Sequence, residues 1–428
     1  MLNSFGTASK GCVAVGVGLI KSAKASMPDA EITMWSLQAS EDMSWEQYGI
    51  KVEQHPWAIR GRSRLFSTAT GAIRVLSILV YSQFSRFLKK LSKGVKPPYA
   101  QYDVVIDPSM DGINDRYLGI STPVRTLTFT LLAQMIIRKP IALVPASIGP
   151  FGNKSVKRLA KFVLNRDDVI TVRGEISKDY LQKLGVNRPK IYLAADLGFL
   201  LDPAPPERVG EILRTEGIGG GNKLLIGLSP SQEMGSWAFI GHGSKESRRD
   251  KYLELMSKIT DHLIEKLDAV VCFIPHHGVT QYYDTDDRIA CKKIIERVRN
   301  KQAVRLISGE YKADELKGII GSCDMFVGCR MHPCIASTSL SIPTVAISYG
   351  LKFNDVIGST MGQENCIVSV DDQDFDEVLL KLKSTVDYVW ENKVRIKEEL
   401  KENSKIARDR ALLFGQVVKE MVESKKKA

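Results

Sequence analysis

The sequence predicts an α/β protein made of two Rossmann-like domains with parallel sheets, facing each other across a cleft. Three observations predict it. Short apolar runs alternate with helix-length amphipathic segments along the chain, the pattern of parallel strands covered by helices. The length of 428 residues exceeds what a single hydrophobic core usually serves. The strongest cluster of breakers, Asp202-Pro203-Ala204-Pro205-Pro206, lies near the middle, Gly219-Gly220-Gly221 follows it, and a fresh set of strand-like runs begins beyond.

In the first half, Tyr102-Asp103-Val104-Val105-Ile106-Asp107 reads as a strand, and Ile141-Ala142-Leu143-Val144-Pro145 as another. Asp168-Val169-Ile170-Thr171-Val172-Arg173 is a third, followed by a helix from Glu175 to Leu184 that Gly185 stops, and Lys190-Ile191-Tyr192-Leu193 is a fourth. The second set comprises Lys223 to Leu228, Ala269 to Ile274, Val304 to Ile307, Met325 to Gly328 and Thr344 to Ser348, each pair separated by room for one helix. The expected division is an N-terminal domain over 1–205, a C-terminal domain over 206–387, and a helical segment over 388–428 whose end, Lys425-Lys426-Lys427, is expected to be a frayed, solvated tail.

One segment departs from the alternation. Ile73, Leu76, Leu79, Val80, Phe84, Phe87, Leu88 and Leu91 fall at helical spacing, while Arg74, Arg86, Lys89, Lys90, Lys93 and Lys96 supply cations. Such a helix over 73–96 can lie on an anionic membrane surface. It can equally pack on the sheet as an ordinary amphipathic surface helix.

The apolar fraction of 44% and the charged fraction of 25% are those of a soluble globular protein. The net charge of +11 points to acidic partners: phosphorylated substrates, anionic lipid or nucleic acid. Nucleic acid lacks a second signal, since aromatic content is only 7% and no RNP-like motif, zinc-finger spacing or arginine-rich arm occurs. The 7 cysteines form no C-x-x-C pair and are odd in number, which disfavours a disulfide framework and a structural zinc site and favours a reducing compartment. The N-terminus does not read as a secretion signal, and no run of about 20 apolar residues is present. The expected location is cytoplasmic, with a peripheral position at the inner face of the membrane as an option through 73–96.

Candidate site residues cluster where strands should end. In Val327-Gly328-Cys329-Arg330-Met331-His332-Pro333 a permanently charged guanidinium and a titratable imidazole stand two residues apart, on one side of an extended segment. Placed at the carboxyl end of a buried strand beside a helix start, they suit an anion site, although either residue can also serve as a structural ion-pair partner. Arg173-Gly174-Glu175 follows a second strand, Gly174 allowing a sharp turn that lets Arg173 face the cleft. Ser147-Ile148-Gly149-Pro150-Phe151, Pro275-His276-His277-Gly278 and the stretch from Asp107 to Asp115 containing Asp111-Gly112 end three more. Taken singly, Asp111-Gly112 and Gly149-Pro150 are ordinary turn dipeptides. Adjacent His276 and His277 face opposite sides of an extended chain, and no H-E-x-x-H or comparable ligand set accompanies them, so no required metal is expected. Asp284, Asp286 and Asp287 precede a helix-like run and read first as charges favouring its N-terminus.

No Walker-type loop, complete G-x-G-x-x-G or G-x-S-x-G occurs, and Gly16-Val17-Gly18 is too short to support a dinucleotide, so no cofactor is expected. Cys329 reads as a small buried hydrophobe. What remains is a basic cleft of Arg and His groups, suited to a small multiply charged anion and to acid catalysis.

Taken in order, the pieces resemble the polysaccharide pyruvyl transferase family. The likeness runs through Ser147-Ile148-Gly149-Pro150-Phe151, then Val172-Arg173-Gly174-Glu175-Ile176-Ser177 with Leu181 and Gly185, then Asp196-Leu197-Gly198-Phe199-Leu200-Leu201. It continues in Tyr311, Glu315-Leu316, Cys323-Asp324, Gly328-Cys329-Arg330-Met331-His332 and Pro343-Thr344-Val345-Ala346-Ile347-Ser348-Tyr349 with Lys352, covering about Tyr102 to Val370. The resemblance implies a GT-B-like fold with the acceptor on the N-terminal domain and the donor on the C-terminal one. It implies transfer of pyruvate from phosphoenolpyruvate to a sugar as a ketal, with release of phosphate, in cell-surface glycan biosynthesis. The implied partners are phosphoenolpyruvate and a glycan or lipid-linked sugar. By motif, Arg173 and Arg330 would hold the donor's phosphate and carboxylate, Met331 would contact it through its backbone, and His332 would be the general acid. Lys352, His276, Gly149 and Asp111 complete the expected substrate-binding set. Where the family has a loop like Asn-x-Gly-Asp, this chain has Ser9-Lys10-Gly11-Cys12 and lacks both polar side chains. Two other readings stay open: a GT-B-type glycosyltransferase using a nucleotide sugar, and a non-catalytic anion-binding relative.

Overall fold

Runs of Val, Ile and Leu too apolar to face water on either side form the central strands. In the first domain β3 (Val105–Asp107), β4 (Ile141–Ala146), β5 (Val169–Val172) and β6 (Lys190–Leu193) form a parallel sheet in that order. Every residue of β4 and β5 is buried, as in a sheet covered on both faces. The preceding strands β1 (Ile32–Ser36) and β2 (Ile50–Gln54) pair in parallel with each other. The chain enters this domain through a helix, α1 (Lys10–Ser26). Three further helices, α2 (Ser121–Ile136), α3 (Lys154–Leu164) and α4 (Glu175–Leu184), connect β3 to β4, β4 to β5 and β5 to β6. Right-handed crossovers between successive neighbours put all three on one face of the sheet, and Leu127, Val156, Val163, Ile170 and Leu181 share one core there.

The computed structural model describes residues 7–36, 39–55, 101–115, 119–137, 139–219, 223–278, 285–371 and 373–427. The helix expected over 73–96 lies outside the described residues.

After α5 (Pro206–Thr215) the second domain forms a six-stranded parallel sheet from β7 (Leu225–Ser229), β8 (Val270–Phe273), β9 (Val304–Leu306), β10 (Met325–Gly328), β11 (Thr344–Ser348) and β12 (Ile367–Ser369). Its spatial order is β12-β11-β10-β7-β8-β9. The chain builds outward from β7 to β9 and then restarts on the other side at β10, which is the Rossmann order. Such a sheet opens a crevice at the carboxyl ends of the two strands flanking the reversal, here β7 and β10. The connecting helices are α6 (Lys245–Leu267), α7 (Asp287–Arg297), α8 (Ala313–Gly321) and α9 (Met331–Ser339), followed after β12 by α10 (Phe375–Glu391).

The final helix, α11 (Lys393–Lys427), returns to the first domain and packs on α1. Ser22 donates to the carbonyls of Ala411 and Leu412 at 3.0 and 3.1 Å and accepts from the Gly415 N–H at 2.9 Å. A Cβ at Gly415 would strike the Ser22 carbonyl, and one at Gly18 would strike that of Leu197. Gly415 therefore permits α11 to approach α1, and Gly18 permits α1 to approach the turn Leu197–Leu200. The helical break falls at Asn392, and the basic end is not frayed: helix continues to Lys427, with Lys425 and Lys426 3.1 and 3.3 Å from carboxylate oxygens of Asp168 and Asp103. Exposed pairs like these add little. Buried Ala411, Phe414, Val417, Val418 and Met421 hold the end of the helix down. Among the described residues no helix is long and apolar enough to cross a membrane.

Candidate active site

The crevice at the end of β10 receives Arg330 as the extended residue that caps α9, with φ −116° and ψ 144°. Its guanidinium makes a two-pronged contact with Asp287, Nε to Oδ2 and Nη2 to Oδ1, each 2.8 Å, and Nη1 donates to Glu233 at 3.3 Å. Asp287 is completely buried and also accepts backbone N–H bonds from Gln232 at 2.9 Å, His277 at 2.9 Å and His276 at 3.3 Å. One carboxylate thus ties the loops after β7 and β8 to Arg330, the dense hydrogen bonding a buried charge requires. Burial opposes the charge on Arg330, but Asp287, then Glu233, push its pKa up overall. The acidic trio accordingly divides. Asp286 caps α7 by accepting from the Arg288 N–H at 3.0 Å, while Asp287 turns inward.

The first domain supplies Arg173 at the end of β5 and Asp196 just beyond β6. Both side chains are wholly buried, with Arg173 Nε 2.7 Å from Asp196 Oδ2. That same oxygen lies 3.8 Å from Nε2 of His332, on the first turn of α9 in the other domain. Asp196 is itself fixed by the Gly198 N–H, which donates to Oδ1 at 2.8 Å. The His332 ring lies against the start of α1, where any Cβ at Gly11 would collide with it. Lys10, the neighbouring residue, lines a small cavity with His276, Lys317 and His332. Burial pushes His276 well down from its ordinary pKa, and the charges of His332, Arg330 and Lys10 push the same way, leaving its ring neutral.

Gly174 has another purpose than the sharp turn expected of it. Its φ of −159° is extended backbone open to any residue, and what demands glycine is the Asp355 carboxylate, which occupies the space of a Cβ. Asp355 reaches across from the second domain and accepts from the Ile176 N–H at 3.0 Å and the Ser177 hydroxyl at 2.6 Å. It thereby joins the start of α4 to the irregular turn after β11.

Of the expected site residues, Arg173, His276, Arg330 and His332 are brought together, linked by Asp196 and Asp287. Met331 has a buried side chain that packs in the core. Lys352 follows β11 and donates to the Tyr349 hydroxyl at 3.2 Å, and Tyr349 is close enough to Arg330 to act on its charge. Gly149, with φ +74° ahead of a cis Pro150, donates to the Ile113 carbonyl at 3.0 Å and packs on Tyr180. Those contacts stay within the first domain. Asp111 lies in the single turn Met110–Gly112 after β3, and it is Asp115 that holds the 150s loop, accepting from the Gly152 and Asn153 N–H groups at 2.7 and 2.8 Å.

Sequence reasoning missed Asp196, Asp287, Asp355 and the orientation of Lys10. A buried acid that meets its Arg only across neighbouring strand ends, as Asp196 beyond β6 meets Arg173 beyond β5, leaves no local signature. Among the described residues no three His, Cys, Asp or Glu side chains gather as a metal site.

Comparison with known proteins adds a family to this geometry. A family model described as polysaccharide pyruvyl transferase matches residues 24–350. The amylovoran biosynthesis protein AmsJ of Erwinia amylovora is 24% identical over 221 residues, which is 52% of this chain and 52% of that protein, so the chain spans about half the length of the curated relative it matches. Among solved structures, a UDP-GlcNAc 2-epimerase from Neisseria meningitidis bound to UDP-GlcNAc superposes with a TM-score of 0.58 at 10% identity, covering 99% of this chain and 98% of that one. A glycosyltransferase from Rickettsia africae ESF-5 gives 0.56 at 11% identity over 96% and 95% of the two chains. At such identities the likeness is one of fold, and it is the GT-B fold. With a match that covers most of its length, the chain belongs to the polysaccharide pyruvyl transferase family.

Proposed function

We propose that the protein transfers pyruvate from phosphoenolpyruvate to two hydroxyls of a sugar, forming a ketal and releasing phosphate, in the biosynthesis of a cell-surface glycan. The observation that carries this reading is the convergence of His332 with Arg330, Arg173 and Asp196 where the two domains meet. In the proposed reaction His332 gives a proton to the methylene carbon of the enol phosphate. The adjacent carbon becomes electrophilic, and one sugar hydroxyl adds to it. The second hydroxyl then displaces phosphate. Of the two hydroxyl protons, one restores His332 and the other leaves with the phosphate, so atoms and charge balance. Asp196 offers an imidazolium its counter-charge at 3.8 Å. General acids of this kind are worth about 10²- to 10⁴-fold in rate.

Arg330, whose side chain is 13% exposed, can offer its Nη1 end to the donor once Glu233 swings away. Arg173 is wholly buried and paired, so its reach to a donor requires the domains to part, and its part in the arrangement as it stands is to hold Asp196 beside His332. The test is incubation with phosphoenolpyruvate and lipid-linked or terminal galactose and N-acetylmannosamine acceptors, scored by mass for the ketal and by released phosphate. Loss of both in His332→Ala supports the reading, and undiminished turnover in that variant overturns it. Tighter binding of a nucleotide sugar than of phosphoenolpyruvate would instead favour the chemistry of glycosyl transfer.

A further inference from the structure

The outer face of α2 and α3 takes no part in the site, and its composition is unlike that of a merely solvated surface. Ile120, which caps α2, and Val124 and Met135 on it are 52%, 37% and 38% exposed, and Phe162 on α3 is 48% exposed. The first three fall along one stripe at helical spacing. Arg125 lies beside that stripe, and Lys154, Lys157, Arg158, Lys161 and Arg166 are exposed on and just after α3. Neither helix contains a single Asp or Glu. The acids nearest in sequence are occupied elsewhere: Asp115 on the 150s loop, Asp167 with Gln134, and Asp168 with the Ile141 N–H and Lys425. Both helices cover the same side of the sheet, so the apolar stripe shares one surface with these cations, of which Arg166 lies over the Phe162 ring and none pairs with a carboxylate among the described residues.

We propose that this face docks on an anionic lipid bilayer. Aliphatic side chains gain by entering the acyl boundary, while the flanking Lys and Arg stay with anionic headgroups. A nucleic acid would use the cations but gain nothing from Ile120, Val124 and Met135. Helices of a parallel sheet begin at its carboxyl edge, so Ile120 and Lys154 stand at the rim that carries the cleft. Docking would therefore bring the cleft beside the headgroups, where a sugar carried on a lipid is presented. That last step rests on the function proposed above, whereas the docking itself does not.

The experiment is flotation of the full chain with vesicles of phosphatidylcholine alone or containing 30 to 40% phosphatidylglycerol, roughly the anionic content at which polybasic surfaces respond. Binding to the anionic vesicles alone is expected, weakened by salt. The triple variant Lys157→Glu/Arg158→Glu/Lys161→Glu should lower it by roughly tenfold or more, and Val124→Ser/Phe162→Ser should lower it without changing the net charge. Lys397→Glu/Lys401→Glu, an alteration of the same kind on α11, should leave most of it. Thermal melting checks that each variant folds. Absence of flotation, equal loss in the α11 variant, binding unaffected by both face variants, or binding abolished only by reversing the cations of 73–96 would each overturn the proposal. Turnover on a water-soluble acceptor, measured in parallel, keeps the two readings apart: turnover without flotation removes the docking and leaves the transferase.

Discussion

Asp196 and Asp287 are the residues on which the arrangement of the site depends, and each holds an arginine. Asp287 takes both prongs of Arg330 and three backbone N–H groups, so Arg330 reaches the crevice with its plane already fixed. Asp196 stands between Arg173 and His332. Replacing it by Asn should have two separable effects. The buried Arg173 loses its counter-charge, which costs about 3–5 kcal/mol when one partner of a buried pair is removed. The imidazole loses its neighbouring charge, so ketal formation should fall and its pH profile shift. The double variant Arg173→Met/Asp196→Asn distinguishes them: stability in urea should partly return, and activity should not. Recovery of both would make Asp196 purely structural. The cationic half of this constellation was legible, because Arg330 and His332 share a strand end and Arg173 ends another. The acidic half was not. Asp287 was visible only as an acid at a helix start, and helix starts ordinarily want acids for their own dipole. Only the fold reveals that its neighbour Asp286 does the capping.

At the scale of elements, periodicity and breakers located the four strands of the first domain's sheet and five of the six in the second, since buried runs such as Ile141 to Ala146 have few other uses; β12, only three residues long, was not among them. They did not locate β1 and β2 either, in which Thr33, Lys51 and Glu53 dilute the apolar signal of the buried Met34, Trp35 and Ile50. Nor did they show that α1 and α11 touch, because that contact depends on what is absent from the side chains. Gly415 of α11 admits the Ser22 carbonyl of α1. Gly415→Val should therefore force the helices apart at a point where backbone, not a flexible side chain, stands in the way. Overpacking of this kind costs about 1–3 kcal/mol or more. A lower urea midpoint is expected, with increased proteolysis near the C-terminus as α11 lifts from α1. An unchanged midpoint would mean that the two helices carry no weight for each other. The departure of Ser9-Lys10-Gly11-Cys12 from the family loop is also clarified at this scale: the retained glycine is the one against which His332 packs, and Lys10 lines the same cavity.

At the scale of the molecule, the two domains are joined around one unusual side chain. Lys317 of α8 is buried and donates to the Leu201 carbonyl at 2.7 Å, in the stretch between the sheets. Beside it, Asp202 pairs with Lys21 of α1 and with Arg408 of α11, the latter at 3.1 Å, so four parts of the chain meet there. Burial, aided by Arg408 and Lys21 and opposed by Asp202, lowers the Lys317 pKa from its ordinary 10.5 to about 7. The linkage has a definite sign. Between about 7 and 10.5 the unfolded chain keeps a proton that the folded chain has released, so the unfolded state binds more protons and this group makes stability rise with pH through that window. Below about 7 both states are protonated and the penalty is fully present. Lys317→Met removes the titration while keeping most of the apolar stem. Many other groups titrate over the same range, but they cancel in the difference between wild type and variant. Urea unfolding at pH 7, 8.5 and 10, roughly spanning the window, should show the variant at its greatest advantage, or least disadvantage, at the lowest pH, and losing ground steadily to wild type as pH rises. A difference that stays constant across the three would mean that Lys317 remains charged where it is buried, with the carbonyl of Leu201 and the nearby Asp202 sufficient to keep it so.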